Sequence, residues 1–259
     1  MDLGIIGRKA IVCASSQGLG LACAMALARE GVHVTINGRQ PDRLAVAAEM
    51  IRRATGAAVT AVAADLNSDA GRGRLADACP DADILVNNNA GPPPGKLADW
   101  DEAAWLAAFG QNMVPAALLI RALVPGMRER RFGRIVNITS AMVKSPHPLM
   151  GLSTSARAAL TAFCKALSHE VAPDNVTINN LLPERIDTDR QRFMAERIMR
   201  EQNVSSEEAR RQISETISAR RFGTPDEFGD ACAFLCSAQA GFISGQNLQL
   251  DGGSYAGLI

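Results

Sequence analysis

The chain has 259 residues, 47% of them hydrophobic, with 27 basic and 27 acidic side chains and a formal net charge of zero. That length and apolar content suffice for one large core, and α/β folds of this size are commonly single domains. The balanced charge excludes the basic footprint of a nucleic-acid or polyanion binder, and Arg128-Glu129-Arg130-Arg131 reads as a solvated helix end.

Met1 to Lys9 lacks the basic segment and apolar stretch of a signal peptide, and no uninterrupted apolar run reaches the ~18 residues of a membrane span. A cytoplasmic chain without a membrane partner is therefore expected. Lys9 to Ala14 is a short apolar run ending in a turn, and Gly18 to Glu30 is a helix closed by Gly31. Val32 to Asn37 is a second strand. Pro41 opens a helix to about Thr55 and Gly56 ends it, the positions Pro and Gly favour at helix ends. Ala57 to Ala63 is a third strand, Ser68 to Cys79 a helix, and Asp83 to Asn87 a fourth strand. Helices follow near Asp99 to Gln111 and Asn112 to Arg131, then strand five at Gly133 to Thr139 and a helix over Ser153 to Ala172. Val176 to Leu182 is strand six, Pro225 opens a helix to about Cys236, and Leu248 to Leu250 completes the sheet. Strands alternating with helices predict an α/β fold: a doubly wound parallel sheet of about seven strands with helices on both faces. Ligands in such sheets bind beyond the carboxyl ends of the strands, where strand order reverses. Residues 187–222 are charged and helical in pattern, and are expected to be an insertion covering the active site of a single domain spanning 1–259. None of the six cysteines forms a CxxC pair, so they read as small buried hydrophobes in a reduced compartment, with no metal site.

The motifs fall at the strand ends. Ala14-Ser15-Ser16-Gln17-Gly18-Leu19-Gly20 follows the first strand, Asp65-Leu66 the third, and Asn87-Asn88-Asn89-Ala90-Gly91 the fourth. Asn112 is available on a helix, Ser140 follows strand five, and Asn180-Leu181-Leu182-Pro183-Glu184 closes strand six. Glycines in a first strand-to-helix turn let the backbone approach a pyrophosphate, which the free N–H groups of the helix then bind. Over nearly its whole length the chain resembles the short-chain dehydrogenase/reductase family, including its 3-oxoacyl-carrier reductases, which have a Rossmann-type three-layer fold. The resemblance implies a nicotinamide dinucleotide held by residues 14–20, with Asp65 and Leu66 on the adenine and Asn88, Ala90 and Gly91 along the cofactor. Ile186 and Thr188 would meet the carboxamide, and Pro183 would also bind the cofactor. The first glycine of the family turn is Ala14 here, and Glu184 stands where a glycine is usual. Strand two ends in Asn37-Gly38-Arg39 with no carboxylate for the ribose. A guanidinium suits a 2′-phosphate, so NADP(H) is expected, with NAD possible.

Family members carry a catalytic tyrosine thirteen residues after the serine, and a lysine four further on. Here those positions hold Ser153 and Arg157. By resemblance Ser140 orients the carbonyl and Asn112 supports a water relay. Ser153 is less acidic and shorter than a phenol, while Arg157 supplies charge and ribose hydrogen bonds without exchanging protons near pH 7. Losing a positioned acid costs about 10²- to 10⁴-fold in rate. Lys144 and His147, in the loop after strand five, are the titratable groups expected to donate the proton instead. Tyr255, the only tyrosine, is a weaker alternative. Two functions follow: an NADP(H)-dependent oxidoreductase of a small carbonyl or alcohol, or a non-catalytic dinucleotide-binding sensor or assembly partner. The resemblance also implies a homodimer or homotetramer built on helices near 112–131 and 153–172 and on the last strand.

Overall fold

A computed structural model of the chain describes residues 1–258. Its strands are β1 (Lys9–Val12), β2 (His33–Gly38), β3 (Val59–Ala63), β4 (Ile84–Asn87), β5 (Gly133–Ile138), β6 (Val176–Pro183) and β7 (Asn247–Leu250). They pair in parallel in the order β3-β2-β1-β4-β5-β6-β7. The chain lays down three strands outward from β1, then returns to place β4 on the other side of β1. That reversal puts a switch point between β1 and β4. The strands β4, β5 and β6 are buried along their length except at Pro183, as a parallel sheet covered on both faces requires.

Nine helices among the described residues complete the fold: α1 (Gly18–Arg29), α2 (Pro41–Thr55), α3 (Asp69–Asp77), α4 (Glu102–Asn112), α5 (Val114–Glu129), α6 (Gly151–Val171), α7 (Asp189–Gln202), α8 (Ser206–Glu215) and α9 (Pro225–Leu235). Alternate residues along each strand feed two cores. Val12, Ile36 and Val136 meet Leu27, Ile51 and Phe228 of α1, α2 and α9 on one face. Ile11, Leu85 and Ile135 meet Leu75, Leu119 and Leu160 of α3, α5 and α6 on the other. Burying a side chain of this size stabilises by about 1.5–3 kcal/mol. Gly56 takes φ 71° at the end of α2, and Pro41 opens that helix, as the sequence predicts.

Three boundaries differ from expectation. Asp101 caps α4 by accepting from the Ala104 N–H at 2.8 Å, so that helix begins later than Asp99. Met113, at φ −119°, separates α4 from α5. α6 starts two residues before Ser153, at Gly151, whose missing side chain leaves room for the Trp100 indole. The stretch Glu102–Glu129 is long and apolar enough, by length and composition, to cross a membrane. Its α5 portion, however, packs Leu119, Leu123 and Met127 onto the sheet as a core helix.

Residues 187–222 form α7 and α8, which share a small apolar cluster around Ala195, Ala209 and Ile213. Asp187 N donates to Gly223 O (2.8 Å) and Gly223 N to Arg185 O (3.1 Å), so the two ends of the segment meet. Arg210 grips both oxygens of Asp187 at 3.1 and 2.8 Å.

A row of side-chain amides crosses the sheet near its carboxyl end. Asn87 donates to Asn137 (2.9 Å), Asn137 to Asn180 (2.9 Å) and Asn180 to Asn247 (2.8 Å). These residues are register partners on adjacent strands, which is why their side chains can meet.

Candidate active site

A cleft of about 740 Å³ opens at the carboxyl ends of the strands, over the switch point. Its floor begins with the turn after β1. Ala14 sits in the left-handed region at φ 45°. Its N–H donates to the Asn37 side chain (3.3 Å) and its carbonyl accepts from Asn88 Nδ2 (3.2 Å). A Cβ on Gly20 would collide with that carbonyl, so α1 can approach the turn only through a glycine. Gln17 leaves the start of α1 without a side-chain cap, and the first turn carries no acid. Its free N–H groups, with Ser16, Gly18 and Leu19 on the lining, suit an anion such as a pyrophosphate. Ser15 lies behind the turn, its hydroxyl donating to Val12 O at 2.7 Å.

The outer end of the cleft is lined by Gly38, Arg39, Asp65 and Leu66. Asn37 is fully buried and its amide spans to Val62 O and Ala64 O (both 3.1 Å), so it locks β2 to β3 rather than facing a ribose. Arg43 joins Arg39 here, with Nη1 donating to Gln17 Oε1 at 2.5 Å. Sequence reasoning missed Arg43, although its place in the helical turn that Pro41 opens was a usable signal. Two guanidiniums and no carboxylate at the end of β2 suit a phosphate on the ribose.

At the inner end, Ser140, Ser153 and Arg157 line the cleft. Ser140 Oγ accepts from Met142 N (3.2 Å) and Ser153 Oγ from Arg157 Nε (3.3 Å). Each oxygen accepts one hydrogen bond, which leaves its O–H free to donate. Arg157 Nη1 donates to Ile138 O (2.9 Å) and Thr139 O (3.2 Å), and Nη2 to Asn89 O (3.5 Å). Burial, and secondly the charge of Arg190, push its pKa down to about 10, so it remains a cation at neutral pH. Asn112 donates to Ala90 O (3.2 Å), while its buried Oδ1 has no partner. Gly91 packs against Arg157, Ser153 and Asn112 together. A second cavity of about 20 Å³ beside Asn112 and Arg157 is large enough for one water.

Lys144 and His147 do not line the cleft. His147 is exposed and its Nδ1 accepts from Leu149 N (3.2 Å), capping a 3-10 turn. Lys144 Nζ lies 5.3 Å from the ring centre of Tyr255. Pro183, Glu184, Ile186 and Thr188 line the other wall. The left-handed residue there is Arg185, at φ 55°, so Glu184 does not take up the freedom of the glycine it stands for. Arg190 and Gln191, at the start of α7, also face the cleft, and no sequence motif pointed to them. All six cysteines are free and buried, and no group of three or more His, Cys, Asp or Glu among the described residues could hold a metal.

Comparison with known proteins agrees with this geometry. A family model described as enoyl-(acyl carrier protein) reductase matches residues 13–255. NADPH-dependent reductase BacG of Bacillus subtilis (strain 168) is 32% identical over 252 residues, 95% of this chain and 97% of that protein. Dehydrogenase/reductase SDR family member 4 of Bos taurus is 32% identical over 256 residues, 97% of this chain and 88% of its own length. The crystal structure of L-sorbose reductase from Gluconobacter frateurii, complexed with NADPH and L-sorbose, superposes with a TM-score of 0.95 at 31% identity, covering 100% of both chains.

Proposed function

Because the chain belongs to the short-chain dehydrogenase/reductase family, we propose that it moves a hydride between NADP(H) and a small carbonyl or alcohol, without the family's phenolic proton donor. It is an NAD(P)-dependent oxidoreductase. The observation that carries the finer reading is the single cleft, with Arg39 and Arg43 at one end and Ser140, Ser153 and Arg157 at the other.

The residues fit a dinucleotide along its length: an uncapped helix start for the pyrophosphate, two arginines for the 2′-phosphate, and a cation for the inner ribose. Bound there, the nicotinamide supplies or accepts the hydride. Ser140 and Ser153 both donate to the substrate oxygen, and the Arg157 guanidinium behind Ser153 stabilises negative charge developing on it. Ser153 and Arg157 thus stand in the places of the family's tyrosine and lysine, as a hydroxyl and a permanent cation. The proton comes from water held at the orphan Asn112 Oδ1, in the small cavity that shares Asn88, Asn89 and Arg157 with the cleft, whereas Lys144 and His147 line neither. We read residues 187–222 as the lid over this site. The exposed apolar side chains Phe234, Phe242 and Leu248, around edge strand β7, support a homodimer or homotetramer.

Fluorescence titration with NADPH and NADH, followed by NADPH oxidation with a panel of ketones and ketoses, tests the reading. NADPH binding about tenfold or more tighter than NADH, with substrate-dependent oxidation, is expected. A chain that binds neither dinucleotide would falsify it.

A further inference from the structure

The inner wall of the cleft carries more positive charge than its own carboxylates answer. Asp189 is engaged by Arg192 (2.9 Å), and Glu184 faces Arg185 (3.9 Å). Arg157 is held by backbone carbonyls and has no carboxylate partner, and Arg190 makes no hydrogen bond or ion pair among the described residues. Arg190 is also badly placed for helix stability. It is the second residue of α7, where the positive end of the helix dipole disfavours a cation, and it lies near enough for its charge to act on Arg157. Arg190 is exposed on the cleft wall with no carboxylate of its own, so its guanidinium is open to an anionic guest.

Two further features of the same turn point to a ligand. Thr188 leaves the start of α7 without a side-chain cap, its hydroxyl turned back to Ile186 O; Gln191 N donates to Thr188 O (2.9 Å), and the Asp189 and Arg190 N–H groups remain open. Gln191 beside Arg190 is only 8% exposed and lines the cleft, yet its Oε1 has no hydrogen-bond partner. A buried amide oxygen left unpaired costs about 1–3 kcal/mol unless a ligand donor meets it. A substrate hydroxyl would do so, while a substrate anion would meet the guanidinium and the helix start.

We propose that the substrate is a carboxylate-bearing carbonyl compound, its carboxylate held by Arg190 and the open start of α7 while its carbonyl faces Ser140 and Ser153. This rests on the oxidoreductase reading above and deepens it from any small carbonyl to an oxo acid. The acid is bound as its anion and undergoes no reaction at the carboxylate; only the carbonyl carbon receives hydride and its oxygen a proton. Hydroxylation on the carbon chain is accommodated through Gln191. The competing guest for Arg190 is the dinucleotide's own pyrophosphate.

The test uses the full chain loaded with NADPH. It is titrated with 2-oxobutanoate, 4-oxopentanoate and 5-oxohexanoate, and with the methyl ester of each, following binding by calorimetry and reduction by absorbance. The acids should bind about tenfold or more tighter than their esters, since a charge-assisted hydrogen bond is lost in the ester. Arg190→Gln should erase that preference, Arg190→Lys should keep part of it, and the NADPH dissociation constant should stay within about threefold in both. Equal binding of acids and esters by the unsubstituted chain, or no acid binding at all, overturns the proposal, as does an undiminished preference in Arg190→Gln. A parallel rise in the NADPH dissociation constant assigns Arg190 to the pyrophosphate and overturns it too. Failure of the unsubstituted chain to bind NADPH would instead sink the oxidoreductase reading itself.

Discussion

Arg157 Nε donates to Ser153 Oγ at 3.3 Å, one helical turn apart on α6, so the buried cation and the cleft hydroxyl form a joined pair. If the pair polarises the substrate oxygen, its members should fail differently. Ser153→Ala should lower kcat by about 10- to 100-fold with NADPH affinity unchanged, because the hydroxyl acts on charge that develops only in the transition state. Arg157→Met should weaken NADPH binding by about tenfold as well, since under the proposed function it also removes the cation that would hold the ribose. Steady-state kinetics with direct NADPH titrations separates the two patterns.

The pH dependence follows from the same cation. Burial, then Arg190, lower the Arg157 pKa to about 10, below the ordinary value of a guanidinium. A cation whose folded pKa is depressed destabilises the fold while charged, at pH values below about 10, and that penalty is relieved as pH rises from there toward the ordinary value of a guanidinium. Folding stability therefore loses nothing through this group on the alkaline side. Function does, because the neutral form cannot hold an anion. NADPH affinity should be free of any break due to Arg157 at neutral pH and should fall above about pH 10. A titration series that shows the same alkaline fall in Arg157→Met would remove Arg157 as its cause.

Ala14 at φ 45° holds a conformation that a glycine adopts without a Cβ penalty. Ala14→Gly should stabilise the chain by about 1 kcal/mol, or about 2–4 °C in Tm. Gly20→Ala should do the opposite, because its Cβ has nowhere to go but into the Ala14 carbonyl. Thermal melts followed by circular dichroism give both signs.

Asn137 has a partner on each side in the amide row, donating to Asn180 and accepting from Asn87. Asn137→Ala leaves one buried donor and one buried acceptor without partners, and should destabilise by about 2–5 kcal/mol. Urea denaturation at neutral pH measures it. A loss below about 1 kcal/mol would mean that water or relaxation replaces the amide.

The thiols should be inert in the folded chain. Cys13 and Cys164 are pushed up to about 12 by burial, and the other four are also buried. Ellman's reagent should find no thiol in the native protein and six after unfolding in guanidinium.

Elements and strand ends were legible in the sequence because their signals are local. Pro41 and Gly56 bound α2 through backbone chemistry alone, and apolar runs marked buried parallel strands. Residues that follow a strand in a doubly wound sheet must lie near the cleft, which is why residues 14–20, Asn88 and Ser140 were found. Relationships between distant segments were not legible. The meeting of Asn87 with Asn137 depends on a register between strands 50 positions apart. Arg190 and Gln191 sit in a helical segment that no motif anchors, and its place on the cleft wall follows from a clasp between Asp187 and Gly223, 36 positions apart. The loop carrying Lys144 and His147 leaves β5 at the right end of the sheet, but a 3-10 turn capped by His147 itself turns that ring outward.

The amides of Asn87, Asn137 and Asn180 each donate toward β7, and the Cys13 thiol stands behind the first of them, 4.0 Å from Asn87 Oδ1. The row therefore has a sense, like beads threaded one way: every carbonyl end faces β1 and every NH₂ end faces the far edge. Turning either middle bead, Asn137 or Asn180, would bring oxygen against oxygen on one side and NH₂ against NH₂ on the other. Only all the beads together could reverse, so a choice made at the Asn247 edge of the sheet is handed from strand to strand to the foot of the Ala14 turn.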